Sequence, residues 1–455
     1  MEKSLRVVGK LDVWNGSSLK TFLLYIVFIS SIFIGVVLYP SLSVIIGVLC
    51  CVLIFFGPKK TIQAVSIFVL IRFLNPAIVT LPANLGAFSW VILILASTIN
   101  IPWGFIYLKK VFFSILIFCF VVLVLSVITS SAVWISILKI ISFLLGSLMA
   151  LSVFNRLDSL QLRDIVIWFF SLFFVVVILS LFTLIDRGIA FNLNGTGFQG
   201  ILNHPQTLGV FLAPISSYFM GRFMFVSKKI FSIDVVIFLI LICLIFISQT
   251  RTSALSVFLS FISTIFVLIF PKIKAQIRSK VGFATKFFLG VIILSLTFIF
   301  YEPANNLMTS FIFKRESSSF DEALTSRSRG VTSQWNNFLN SPIVGNGFGV
   351  YPGPLPSKGI QYFMGIPISA AVEKGFLPTA VLEEVGIIGA LMFIYMLFTI
   401  SALILRNKDP SWLCVFFATI FINIGEFVFF ATGGMGIFYW LIIGLCSVAY
   451  KMERR

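Results

Sequence analysis

Thr325-Ser-Arg-Ser-Arg-Gly-Val-Thr-Ser-Gln-Trp-Asn-Asn-Phe-Leu-Asn-Ser-Pro342, followed by Ile-Val-Gly345-Asn-Gly347-Phe-Gly349, is the middle of the longest polar run in the chain. The run extends from Glu302 to Lys374 and carries Lys314, Arg315, Arg327, Arg329 and Lys358 among Glu316, Asp321, Glu322 and Glu373. Hydrocarbon cannot accept such a segment, and apolar stretches lie on both sides of it. Unstructured connections well beyond about 15 residues are usually functional or disordered. The run therefore reads as the lid or arm of a membrane enzyme's active site. Within it Val331, Trp335, Phe338 and Leu339 recur at helical spacing, with Gln334, Asn336 and Asn337 between them. That pattern predicts an amphipathic helix on the membrane surface, stopped at Ser341-Pro342. The glycines beyond it permit a tight turn and close backbone approach to a ligand.

Working outward, composition sets the class. Of 455 residues, 59% are hydrophobic and only 11% charged, and the mean hydropathy is +1.10. Soluble domains carry about 25% charged residues, so the chain is expected to be an all-α polytopic membrane protein. The net charge of +17 does not point to nucleic acid, because the lysines and arginines sit in short connections between apolar runs. All six cysteines (Cys50, Cys51, Cys119, Cys243, Cys414 and Cys446) fall inside apolar runs. They read as small buried residues and not as a disulfide framework or a zinc site. The first apolar run, Thr21 to Leu38, lacks a small-residue cleavage site and reads as a retained span.

A span needs about 20 apolar residues, which gives about 12–14 transmembrane helices and about fourteen candidate segments. They start near Thr21, Leu42, Thr61, Phe88, Val111, Val133, Asp164, Pro205, Phe231, Thr252, Gly282, Thr379, Trp412 and Met435. The second and third are short enough to be tilted, re-entrant or half-spans. Basic residues cluster in every second connection: Lys3/Arg6/Lys10/Lys20, Lys59/Lys60, Lys109/Lys110, Arg156/Arg163, Arg222/Lys228/Lys229, Lys272/Lys274/Arg278/Lys280, Arg406/Lys408 and Lys451/Arg454/Arg455. The positive-inside rule then places both termini in the cytoplasm and the long polar loop outside, which is the periplasm in a bacterium with an outer membrane. The chain divides into an N-terminal transmembrane bundle (1–301), the outer loop with its amphipathic helix (302–375) and C-terminal transmembrane helices (376–455).

Ionisable residues at span ends are costly and so carry information. Arg72, Lys139, Asp186-Arg187, His204, Arg251, Glu302, Glu373, Glu383, Glu384 and Glu426 all fall toward the expected outer face. Arg72, Lys139 and Arg187 are equally read as cations reaching for lipid headgroups. Arg327 and Arg329 are equally read as a solvated face, and His204 as a packed or capping histidine. Arg251 differs, because it sits in Ser248-Gln-Thr-Arg-Thr-Ser253 on the side that the rule depletes of cations. Collectively, several guanidiniums on one membrane face suit a lipid diphosphate, whose oxygens arginine matches bidentately. A nearby carboxylate is suited to take a proton from an acceptor hydroxyl. Fixed arginines would stabilise the charge of a departing diphosphate, so neither a metal nor any other cofactor is expected.

Gly197-Phe-Gln-Gly-Ile-Leu-Asn-His-Pro-Gln-Thr-Leu-Gly209, then Ser248-Gln-Thr-Arg-Thr-Ser-Ala254, resembles segments of the O-antigen ligase and polymerase superfamily of bacterial envelope enzymes. The arginine-then-Trp335 segment ending in Ser341-Pro-Ile-Val-Gly-Asn-Gly-Phe-Gly349, and Leu382-Glu-Glu-Val-Gly-Ile-Ile-Gly389 after it, complete the likeness. The resemblance covers roughly Ala190 onward. It implies transfer of a glycan from an undecaprenyl-diphosphate-linked oligosaccharide on the periplasmic face of the inner membrane. The acceptor would be another lipid-linked repeat (polymerase) or lipid A-core (ligase), with a chain-length regulator or other envelope-assembly proteins as partners. Family arginines map onto Arg251 and onto Arg327 or Arg329; Arg187, Arg72 and Trp335 complete the substrate-binding candidates. Ligases carry a histidine, usually followed by Asn, ahead of the Glu-x-Gly-x-x-Gly segment. Here that place reads Glu373-Lys-Gly-Phe-Leu-Pro378. The departure favours polymerase over ligase and leaves Glu373, Glu383 or His204 as catalytic candidates. A flippase or exporter of the same lipid-linked glycan is the alternative from another class.

Overall fold

Among the described residues, the most buried helix lies near the end of the sequence. Every residue from Gly436 to Val448 is buried, including Tyr439 and Trp440. A helix apolar on all sides belongs at the centre of a bundle. In the computed structural model, which describes residues 16–82, 85–191, 197–227, 232–269, 320–350, 352, 360–363, 366–370 and 374–453, the other helices are built around it.

The helices are α1 (Gly16–Leu38), α2 (Leu42–Leu53), α3 (Pro58–Arg72), α4 (Leu85–Tyr107), α5 (Lys109–Thr129), α6 (Val133–Asn155), α7 (Ser159–Thr183) and the short α8 (Arg187–Ala190). They continue with α9 (Pro205–Gly221), α10 (Ile233–Ile247), α11 (Arg251–Ile269), α12 (Phe320–Asn340), α13 (Leu377–Ile404), α14 (Pro410–Phe421) and α15 (Gly436–Val448). Eight of the helical segments among the described residues are long and apolar enough to cross a membrane. Four more apolar segments are shorter, and the candidate near Gly282 lies outside the described residues. The protein is thus an all-α polytopic membrane protein. One antiparallel hairpin, β1 (Ile360–Phe363) with β2 (Ile366–Ala370), interrupts the polar run.

Local sequence explains the helix starts. Asp158 caps α7 by accepting from the Leu160 and Gln161 amides, while Gln161 returns a bond to the Asp158 amide. His204 caps α9 through Nδ1, which accepts from the Gln206 amide at 3.0 Å, with Pro205 in the first turn. Small residues set the spacing at the centre. A Cβ on Gly444 of α15 would lie 2.6 Å from the Ala150 carbonyl oxygen of α6, so only glycine allows this approach. Phe173, Phe211 and Phe438 join α7, α9 and α15, with ring centroids 4.5–5.8 Å apart. Helix α1 is peripheral. It holds α7 through Phe22 against Phe174 and Tyr25 against Trp168, and leaves Leu23, Leu24, Val27 and Phe28 exposed, as a lipid-facing helix does.

The connections at one end of the bundle are stitched into a continuous rim. The Asn75 amide donates to the Ile201 carbonyl at 2.8 Å, and the Asn203 amide to that of Phe73 at 2.8 Å. The Phe198 amide donates to the Ile247 carbonyl at 3.2 Å. Arg72 Nη1 donates to the Gly433 carbonyl at 2.9 Å and to Ser89 Oγ at 2.5 Å. Ser142 and Thr432 share a hydrogen bond of 3.0 Å, and the Phe348 amide donates to Ser126 Oγ at 3.0 Å. Arg72, His204 and Arg251 belong to the elements of this rim or start from them.

Candidate functional site

Helix α13 is broken. Gly386 has φ 60° and ψ −168°, a conformation that side-chain-bearing residues rarely adopt. The break leaves carbonyls of the first half and amides of the second without helical partners. Residues 342–347 supply them: the Asn346 and Gly347 amides donate to the Glu383 and Glu384 carbonyls, both at 2.9 Å. In return the Ile387 amide donates to the Pro342 carbonyl at 2.9 Å, and the Ile388 amide to that of Ile343 at 3.3 Å. The segment lies so close to α13 that a Cβ on Gly345 would be 2.5 Å from the Glu384 backbone. Gly345, Gly347 and Gly349 all have positive φ (73°, 104° and 70°), which lets this strap turn across the rim. Phe348 anchors its far end between Phe143 and Phe430, with ring centroids at 6.5 and 5.0 Å.

Beneath the strap lies a cluster of charges. The side chains of Lys374, Glu383 and Glu384 are all wholly shielded from solvent. Lys374 Nζ lies 2.9 Å from Glu383 Oε2 and 3.2 Å from Glu384 Oε1. Asn337 Nδ2 donates to Glu383 Oε1 at 2.7 Å, so both oxygens of Glu383 are engaged. Glu384 pairs with Lys374 and is approached by the Gly349 amide of the strap, without a hydrogen bond of full geometry to either oxygen. From α6, the half-buried Lys139 donates to the Gly349 carbonyl of the strap at 2.5 Å. Two ammonium groups and two carboxylates thus sum to no net charge. Removing each ion from water costs several kcal/mol, and mutual attraction does not reliably recover it. Burial works against the Lys374 ammonium, but Glu384 and Glu383 outweigh it and hold its pKa above the ordinary lysine value.

Helix α12 closes the cluster with its polar side. The apolar face expected on the membrane surface was Val331, Trp335, Phe338 and Leu339. Of these, Trp335 and Leu339 are exposed and Phe338 is buried, while Gln334 is buried on the protein side. Gln334 Nε2 donates to the Lys374 carbonyl at 2.5 Å, and Thr379 Oγ1 donates to Gln334 Oε1. Buried polar groups need partners, and the α12 amides serve those around Lys374 and Glu383. That demand turns the helix.

A second group lies along the rim. The glycine-bounded segment 197–209 packs on the turn that opens α11. A Cβ on Gly197 would be 3.0 Å from the Ser248 carbonyl oxygen, and one on Gly209 would strike Thr250. Gln249, at φ 56°, makes this turn tight. His204 therefore starts α9, and Arg251 starts α11, from abutting backbone. Arg72 is one residue from Phe73, whose carbonyl binds the Asn203 amide. Its own hydrogen bonds tie α3 to α4 and to the connection before α15.

No protein-family model matches the chain, and no curated protein matches it significantly.

The sequence candidates thus fall into two groups. His204, Arg251 and Arg72 share the rim formed by residues 72–75, 197–204 and 248–251. Arg187 is exposed at the start of α8, with Asp186 capping that helix through the Gly188 amide at 2.8 Å. Glu383 belongs to the strap cluster. Trp335 lies outward on α12, its ring 5.2 Å from that of Phe338. Arg327 and Arg329 are carried by α12, with their side chains outside the described part, and Glu373 lies outside the described residues. Sequence reasoning named Glu384 among the outer-face ionisable residues without giving it a role, and did not nominate Lys374 or Asn337. The available signal was the adjacent pair Glu383-Glu384 in an apolar helix, which requires a nearby cation.

Proposed function

We propose that the protein is a membrane-embedded glycosyl-transferring enzyme acting on a lipid-diphosphate-linked oligosaccharide, with extension of another lipid-linked repeat favoured over ligation to lipid A-core. The observation that carries this reading is the abutment of segment 197–209 on the turn 248–251, which starts α9 and α11 side by side with His204 and Arg251 at their first positions. Helix N-termini favour negative charge, and a guanidinium there adds bidentate donors for phosphate oxygens. In the reaction, an acceptor hydroxyl oxygen attacks the anomeric carbon. The bond from that carbon to the diphosphate oxygen breaks, and its electron pair remains on the diphosphate, where Arg251 stabilises it. The hydroxyl proton passes to a carboxylate, with Glu373 and Glu383 the candidates drawn from the sequence and His204 as the other base.

The test is reconstitution in liposomes with an undecaprenyl-diphosphate oligosaccharide. Longer glycans, lost in Arg251→Ala with the protein still monodisperse, are the expected result. Unchanged product from Arg251→Ala would overturn the assignment of the diphosphate to this site. A second reading, a flippase or exporter, draws support from the broken helix α13, since interrupted helices line the substrate sites of many transporters. Movement of unaltered oligosaccharide across the liposome, without elongation, would favour it.

A further inference from the structure

We propose that the strap 342–349 is a displaceable plug over a chamber for the neutral, hydroxyl-rich part of a glycan, in which Glu384 accepts hydrogen bonds from sugar hydroxyls. The inference rests on the glycosyl-transfer reading and assigns the sugar to a place distinct from the diphosphate.

Three observations lead to it. Glu384 is buried, and its carboxylate is met only by the Lys374 ammonium and by the Gly349 amide of the strap itself, neither in full hydrogen-bond geometry. Buried acceptors are normally satisfied, and a group left otherwise in a polar cluster is suited to a ligand. The surroundings are rich in both donors and acceptors: Ser126 and Ser136 are buried, Ser130 and Ser136 share a 2.8 Å hydrogen bond, and Lys139 reaches in from α6. With two lysines balanced by two glutamates, the cluster carries no net charge to attract a diphosphate, but it has the mixed polarity that hydroxyl groups require. Finally, the strap fills this space largely with backbone. Its amides and carbonyls complete the broken helix, Lys139 holds the Gly349 carbonyl, and Phe348 is the main apolar anchor. A sugar offers the same currency of donors and acceptors, so it can replace the strap at Glu384, Lys139 and the serines.

The experiment reads exposure of Ser126, which is fully buried and receives the Phe348 amide. Full-length Ser126→Cys protein in liposomes is treated with a membrane-impermeant maleimide, with labelling counted above that of the native cysteines. Combining it with Lys139→Met, which releases the strap at Gly349, is expected to speed labelling about tenfold, as a shift in the open population would. Phe348→Ala provides a second route to the same release. Glycan freed from its lipid carrier by mild acid is then added. It is expected to slow labelling of the Phe348→Ala variant, which keeps Lys139, and Glu384→Gln to abolish that protection. Absence of faster labelling in both released variants would overturn the plug, and failure of the glycan to protect would overturn the chamber. Neither readout depends on catalysis. Loss of elongation in Arg251→Ala tests the underlying reading separately.

Discussion

The two polar groups on the rim solve opposite problems. Under the strap, Lys374, Glu383, Glu384 and Lys139 balance one another within a space from which the first three are fully shielded. Along 72–75, 197–204 and 248–251, the named groups are cations or a histidine, set at helix ends and held by backbone geometry. Arg72, for example, is bonded to a serine hydroxyl and a carbonyl. The first arrangement makes structure depend on charge; the second makes charge depend on structure. Substitutions in the two groups should therefore differ in kind.

The largest expected effect is that of Lys374→Met. It leaves two buried carboxylates without their shared cation, and breaking a buried pair costs about 3–5 kcal/mol. Thermal unfolding of the solubilised protein, followed by loss of the monodisperse species, should show a large decrease. Arg251→Ala should lower stability less than Lys374→Met does, while abolishing transfer. Equal losses of stability from the two would break the comparison. Next comes Phe348→Ala, which empties the space between Phe143 and Phe430. Phenylalanine-to-alanine changes in cores cost about 3–5 kcal/mol, and the lower end is expected because the Phe143 and Phe430 rings can relax toward the space. The same unfolding measurement checks it, and an unchanged midpoint would show that the strap is not anchored there.

The smallest effect is on alkaline stability. Lys374 faces Glu383 and Glu384 from α13, and Lys139 from α6 contributes like charge. Because the folded pKa of Lys374 is raised, its pairing stabilises the protein fully below the ordinary lysine pKa of about 10.4 and is lost as pH rises through the raised value. A pH series of unfolding midpoints should show a decline at that alkaline end in the parent protein and a shallower one in Lys374→Met. Identical profiles would mean that the lysine is not what holds the carboxylates.

The spans were legible because hydropathy is a local property: twenty apolar residues announce a helix wherever it finally packs. The end of α12 before Ser341-Pro342 was legible for the same reason. The docking of its polar side was not, since Gln334 and Asn337 turn inward to meet Lys374, Thr379 and Glu383, which are distant in sequence. The break at Gly386 was visible as a glycine near a helix start. Its repair by residues 342–347 is a tertiary event with no local signature. Arg251 and His204 could be named from their short motifs, whereas the abutment of those motifs depends on Gly197 and Gly209 finding Ser248 and Thr250.

The burial of α15 on every side also bears on biosynthesis. Ribosomes deliver this segment after the other α-helices described, so a nascent chain halted before Gly436 would have Phe173, Phe211 and the Ala150 flank of α6 facing lipid or one another. The packing of these helices can be completed only when this segment slides in among them, which makes chains cut short before it natural targets for membrane quality control.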